Sequence, residues 1–211
     1  MYVMWTPALG REFLYHLTKT EGDIPKSKCY FFAIEAIMNL AEKLELYTRF
    51  SKGEQNGFSK LELEDLELVN FDFKPYDLNN SYFGGVSFTS CDLKNVYLSG
   101  SNFGGSKFIS SILKNNNIVK ANWDNIEMDN INAFRTTFME SVFNNCKISQ
   151  SNFESCNFWG SHLTNVTFEG CNFVDACFND CIFTEVIFKN CILPENFNLY
   201  HLPKTEGDML G

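Results

Sequence analysis

The sequence predicts an all-β solenoid with an N-terminal α-helical cap, and three observations carry that prediction. A large apolar residue recurs at every fifth position over most of the chain, a small residue recurs two positions before it, and the first 57 residues follow neither rule.

Stepping by five from Phe58 to Leu193 gives 28 positions, of which 15 are Phe and 8 are Leu; only Ala133 is not large and apolar. A helix scatters every fifth residue around its axis, and a continuous strand sends successive fifth residues to opposite faces. The chain must therefore turn once every five residues. The second column, Ser81, Val86, Cys91, Val96, Ser101, Ser106, Ser111 and later Ser141, Cys146, Ser151, Cys156, Ser161, Val166, Cys171, Ala176, Cys181, Val186 and Cys191, also points inward. One large and one small side chain per face fill a narrow interior at crystal-like density. Ala133 admits two readings: a one-residue slip that puts Phe134 in its place until Phe138 restores register, or volume supplied by Trp123 and Met128.

The triplets Ser101-Asn102-Phe103, Ala121-Asn122-Trp123, Ser151-Asn152-Phe153, Cys156-Asn157-Phe158 and Cys171-Asn172-Phe173 show a small residue, then Asn, then a large apolar residue. In this the stretch resembles the pentapeptide repeat family, over about two thirds of the chain. The resemblance implies a right-handed quadrilateral β-helix with four five-residue sides to a coil, so that residues twenty apart stack. The 28 units then make about seven coils, a rod roughly 34 Å long at the usual strand spacing of about 4.8 Å.

Three regions follow: a helical cap and linker over 1–57, the β-helix over 58–193, and a tail over 194–211. Tyr30 to Tyr47 sets Phe31, Ile34, Ile37, Met38, Ala41 and Leu44, with Leu46 beside them, along one side at helical spacing, away from Glu35, Asn39, Glu42, Lys43 and Glu45. Ser27 is placed to cap its start, and Ser51 to Ser59 reads as linker. Such a helix covers the open end of a solenoid, where strand edges are otherwise unpaired. The tail segment Tyr200 to Asp208 matches Tyr15 to Asp23 at eight of nine positions, which reads either as a duplication scar or as paired recognition loops.

Met1 to Leu9 has neither the basic start nor the cleavage pattern of an export signal, and the most apolar helical window carries Glu35, Glu42, Lys43 and Glu45, unlike a membrane span. A cytoplasmic protein without a membrane span is expected. Its only histidines are His16, His162 and His201. No nucleophile with a base, phosphate-binding Gly-rich loop or dinucleotide fingerprint is present, so a non-enzymatic protein with no catalytic, cofactor or metal residues is expected. Six of the eight cysteines fall in the small inward column and read as reduced core fillers; Cys177 is expected outward.

The net charge is −9, and residues 58–193, with sixteen acids and nine bases, hold −7 of it. Glu62, Glu64, Asp65, Glu67, Asp72 and Asp77 cluster in the first coil with Lys74 alone among them, and Asp92 is expected to stack on Asp72. These seven acids are the candidate partner-binding residues. Family members that confer quinolone resistance are thought to imitate duplex DNA at a type II topoisomerase, so the resemblance implies an acidic scaffold that binds a protein partner, a DNA-binding enzyme included, without binding nucleic acid itself. Duplex DNA carries a charge per ~1.7 Å, about 20 over such a rod, so the mimicry is partial. The uninterrupted register and the short tail also depart from the loops and dimerisation module of those relatives; the oligomeric state stays open, with an end-to-end dimer one arrangement. The alternative reading is a targeting or spacer module of a bacterial secreted effector.

Overall fold

The computed structural model describes residues 2–4, 40–54 and 60–197. From Lys60 onward the backbone repeats one local conformation every five residues. The first and third residues of each five point inward and the others outward, as in Ser101 and Phe103 or Ser106 and Phe108, all buried. The fifth residue turns the corner in the left-handed region: Asn95, Asn115 and Asn125 have φ of 60°, 58° and 55°. Asparagine suits this place because its short polar side chain tolerates positive φ. From Asp65 to Asn190 every corner residue has positive φ except Pro75, whose ring holds φ near −65°. That corner is closed by Tyr76 N–H donating to Phe73 O at 3.0 Å, a bond that recurs at Ser106 to Phe103 and Ala176 to Phe173.

Four corners complete a coil, giving sides centred on Leu63, Leu68, Phe73 and Leu78. Pairing between coils is parallel at a register of twenty residues. On the second side β3 (Leu66–Val69), β5 (Ser87–Thr89), β6 (Lys107–Ile109) and β8 (Glu127–Asp129) lie in order. They lead to β9 (Val142–Ser149), β10 (His162–Glu169) and β11 (Ile182–Lys189), which each cover the first and second sides around a corner. On the first side β2 (Glu62–Glu64) pairs β4 (Tyr82–Gly84), and β7 (Asn122–Asp124) pairs β9. At the start, β1 (Tyr2–Met4) adds to β3 through Val3 opposite Glu67. The third and fourth sides are joined by single bridges, Asp72 to Asp92 to Ile112 to Asn132 to Asn152 to Asn172 to Ile192, and Asp77 to Tyr97 to Asn117 to Thr137 to Asn157 to Cys177.

The architecture is the right-handed β-helix expected, with a short N-terminal helix, but it has about six turns rather than seven. Phe58, the first of the 28 positions, lies outside the described residues, and the last coil ends where Pro194 leaves the third side. The slip at Ala133 does not occur. Asn132 bridges both Ile112 and Asn152, Ala133 N–H donates to Asn152 O at 2.8 Å, and Arg135 turns its corner at φ 56°. Backbone pairing above and below fixes the register whatever the side chain, so Ala133 is fully buried with Trp123 and Met128 in the same coil.

Aromatic rings follow the geometry of the coils. Rings one coil apart stack, as Phe83 on Phe103 (5.1 Å, 7°) and Phe103 on Trp123 (4.3 Å, 14°). Rings on adjacent sides meet edge to face, as Phe168 with Phe173 (5.0 Å, 89°). Both arrangements suit the ring quadrupole. At the C-terminal end Phe197 crosses the last rings edge to face, 5.3 Å from Phe178 and 5.4 Å from Phe188.

The small column does more than fill space. Ser141 Oγ donates to Ile118 O at 3.0 Å and accepts from Ala121 N–H at 3.1 Å. Ser106 does the same between Phe83 O and Val86 N–H. Both serines thus join two coils inside the rod and satisfy backbone groups that would be buried alone. The cysteines supply the donor half: Cys146 to Trp123 O at 2.8 Å and Cys156 to Ala133 O at 2.9 Å. Burial pushes both thiols up to about 12. Cys91, Cys146, Cys156 and Cys171 are buried, while Cys181 and Cys191, in the last coil, are half-buried, as is the outward Cys177.

The helix α1 is described over 40–51, so its expected first part lies outside the described residues and its end falls beyond Tyr47. Gly53, at φ 74°, is the reason: Gly53 N–H donates to Phe50 O and Glu54 N–H to Arg49 O, both at 2.9 Å, the paired bonds of a Schellman cap. The buried side is Leu40, Leu44, Tyr47 and Thr48, which packs in one cluster with Leu61, Leu63, Phe73 and Leu78. Polar contacts fasten it to the first coil: Lys43 Nζ donates to Glu62 O at 2.6 Å, Asp77 N–H to Thr48 Oγ1 at 3.0 Å, and Tyr47 OH to Asn79 O. The matching segments Tyr15 to Asp23 and Tyr200 to Asp208 lie outside the described residues.

Replacing Ser141 with Ala leaves buried backbone groups on two coils without their side-chain partner. A loss of about 1–3 kcal/mol is expected, whereas Cys156→Ser, which keeps the donor to Ala133 O, costs less. Guanidinium unfolding of the two variants checks the order.

Candidate partner-binding surface

The seven candidate acids do not form one patch. Glu62 and Glu64 stand on the first side, Asp65 at the corner after it, Glu67 on the second side, Asp72 and Asp92 on the third, and Asp77 on the fourth. Six of them ring the first coil, because consecutive sides point in four directions, and Asp92 stands one coil on, over Asp72.

The structure also divides them by what their carboxylates do. Asp72, Asp77 and Asp92 occupy the outward position just before the central residue. From there each Oδ1 accepts the backbone N–H two residues on: Lys74 and Lys94 at 2.9 Å, Asn79 at 3.1 Å. Asn132, Asn152 and Asn172 make the same bond to Phe134, Glu154 and Val174, and Asn172 Nδ2 also donates to Asn152 Oδ1 at 3.1 Å, the amide ladder the column implies. Asp or Asn at this position is therefore a turn-former first. Asp72 and Asp92 do stack, and Lys74 Nζ sits between them at 3.4 and 2.8 Å. That pairing, with the hydrogen bond to Asp92 foremost, holds the Lys74 ammonium above its usual pKa. Asp65 turns a corner at φ 49°, and its carboxylate lies over Gly85, where a Cβ would come within 2.5 Å of Oδ1.

Three glutamates remain. Glu62 pairs with Lys60 at 3.4 Å. Glu64 is exposed with no ion-pair partner among the described residues, and Glu67, half-buried, stands in register between Val3 and Ser87.

Beyond the first coil acidity is not continuous. The second side alternates Lys107, Glu127 and Lys147 in one column; Lys107 Nζ meets Glu127 at 2.8 Å, and that bond holds the Glu127 carboxyl below its usual pKa. The third side carries Lys74, Lys94 and Lys114 in one outward column, followed by Phe134 and Arg135. The fourth exposes Tyr97 and Trp159, the indole N–H of Trp159 donating to Asp180 at 2.7 Å. These features were missed in the linear sequence; writing the chain in rows of twenty would have shown them. Among the described residues, no three His, Cys, Asp or Glu side chains converge as metal ligands, and no helix is long and apolar enough to cross a membrane. His162 faces solvent on β10.

A sequence model of pentapeptide repeats, in eight copies, matches residues 77–115 and 151–190. The matched stretches are pentapeptide repeats, the family that the sequence resembles. No curated protein matches it. Among solved pentapeptide repeat structures, QnrB1, a plasmid-mediated fluoroquinolone resistance protein, is 15% identical, with 67% of this chain and 78% of that one covered and a TM-score of 0.36. Rfr23 from the cyanobacterium Cyanothece 51142 is 18% identical over 74% and 99%, with a TM-score of 0.30. A thylakoid-lumen pentapeptide repeat protein of Arabidopsis thaliana is 18% identical over 57% and 70%, with a TM-score of 0.32. At this distance nothing of what those proteins do carries over.

Within this pentapeptide repeat rod, Asp92→Asn keeps the bond to the Lys94 amide, while Asp92→Ala loses it together with the pairing to Lys74. The alanine variant is expected to be less stable by about 1 kcal/mol and the asparagine variant to stay closer to the parent; thermal melts at low salt distinguish them.

Proposed function

We propose that this pentapeptide repeat protein is a non-enzymatic binding scaffold of the cytoplasm, and that its acidic N-terminal end docks a basic surface on a protein partner. One observation carries the reading: Glu62, Glu64 and Glu67 stand outward in the first coil without a turn-forming role, whereas the neighbouring aspartates are engaged in corners and turns. Gathered at one end of a rod, these outward glutamates, of which Glu62 alone has an ion-pair partner among the described residues, Lys60, attract a basic surface and steer its approach.

A DNA-binding enzyme such as a type II topoisomerase is a partner of that chemistry. The distribution of charge favours local docking over imitation of a duplex. Lys107 and Lys147 interrupt the second side, and Lys94, Lys114 and Arg135 make the middle of the third side basic, where two rows of phosphates would be continuous. The same reading includes end-to-end pairing of two rods at the last coil, whose rim exposes Ile182, Ile187 and Ile192; sedimentation velocity distinguishes one rod from two.

Supercoiling by purified DNA gyrase, with and without the protein at micromolar concentration, tests the topoisomerase version. Inhibition or drug protection that disappears in Glu62→Lys/Glu64→Lys/Glu67→Lys supports it. No effect of the parent protein, or an effect untouched by the triple reversal, counts against it.

A further inference from the structure

The third side carries a surface of opposite character to the acidic end. In its outward column Lys74 is engaged by Asp72 and Asp92. The aspartate column stops at Asp92, giving way to Ile112 and Asn132, while the cations continue through Lys94, Lys114 and Arg135. None of these three has a carboxylate within ion-pair distance among the described residues. At the rung after Lys114 the column places Phe134 instead of a charge, and the ring organises its neighbours: Lys114 Nζ lies over it at 4.8 Å from the centroid and Arg135 Cζ likewise at 4.8 Å. Ile112 and Ile109, on either side of the corner at Ser110, add exposed apolar surface at 37% and 40%.

We infer that this patch is a second docking surface, built for a short acidic and apolar segment of a partner protein. Charge complementarity selects the occupant: three uncompensated cations on a chain of net charge −9 hold a local positive site. Holding Lys114 and Arg135 against one ring fixes two long side chains before binding, which lowers the ordering cost when a carboxylate arrives. Arg135 presents a planar fork suited to a carboxylate. Apolar side chains of the segment then meet Ile109 and Ile112. A single-stranded nucleic acid fits less well, because the Phe134 ring on which a base would stack is already met by the two cations.

The test is fluorescence anisotropy on the full chain with three labelled probes: the peptide (Glu-Asp-Leu-Gly)3, its counterpart (Lys-Lys-Leu-Gly)3, and a twelve-nucleotide oligo-dT. The acidic peptide is expected to bind best, in the micromolar range. Lys114→Glu/Arg135→Glu should weaken it by about tenfold or more, while Lys107→Glu/Lys147→Glu, the same charge change on the second side, shifts it by less than about threefold. Phe134→Ser, an outward substitution, should weaken binding severalfold with the melting curve unchanged. Glu62→Lys/Glu64→Lys/Glu67→Lys should leave it intact, which separates this surface from the acidic end. Acidic peptide binding no tighter than basic peptide, equal loss from the second-side control, or tighter oligo-dT binding that Lys114→Glu/Arg135→Glu abolishes would each overturn the inference.

Discussion

The rod rests on one constraint: the backbone must turn after every fifth residue so that each residue lies over the one twenty positions earlier. The left-handed corner residue supplies the turn, and the parallel backbone bonds between coils supply the stacking. Once these hold, a face has two inward places and three outward ones, and the sequence has little freedom in what fills them. Phe and Leu take the large inward place because rings and branched chains repeat at the strand spacing, giving contacts such as Phe88 on Phe108 at 4.5 Å. Ser and Cys take the small place because a short donor reaches the carbonyl of the coil before. Even Ala133 obeys the frame, since its backbone bonds to Asn152 do not depend on its side chain.

The same constraint governs the surface. Outward residues form columns one strand spacing apart, so a choice repeated every twenty residues becomes a stripe, and a single departure becomes a local site. Lys74, Lys94 and Lys114 are such a stripe, and Phe134 is such a departure. The frame also claims some polar residues for itself. A carboxylate just before the central residue caps its own turn, so the formal charge of the rod overstates the acidity a partner would meet.

The repeat was legible because its signal is long and strictly periodic: a fivefold step through Phe and Leu leaves neither helix nor continuous strand as an explanation. The inward placement of most cysteines followed from the same step. Features whose cause lies between coils or in a single backbone angle were not legible. The end of α1 was set by Gly53, a left-handed cap inside a stretch that composition alone marks as linker. The structural use of Asp72, Asp77 and Asp92 is invisible in a count of charges, because it depends on the amide two residues ahead. The dispersal of the acids from Glu62 to Asp77 around the first coil was concealed by their closeness in sequence, since neighbours in the chain face different directions once the corners are made.

The claim that the five-residue side is the indivisible unit is tested most directly by comparing two deletions in the same coil, Asn144 alone and the whole side from Ser141 to Asn145, by thermal unfolding followed in the far ultraviolet. Removing the side shortens the rod but returns every later inward residue to an inward place, so a cooperative transition with a lowered midpoint is expected. Removing Asn144 alone carries every later residue off its place, and loss of the cooperative transition is expected. A single-residue deletion no more damaging than removal of the whole side would contradict the account.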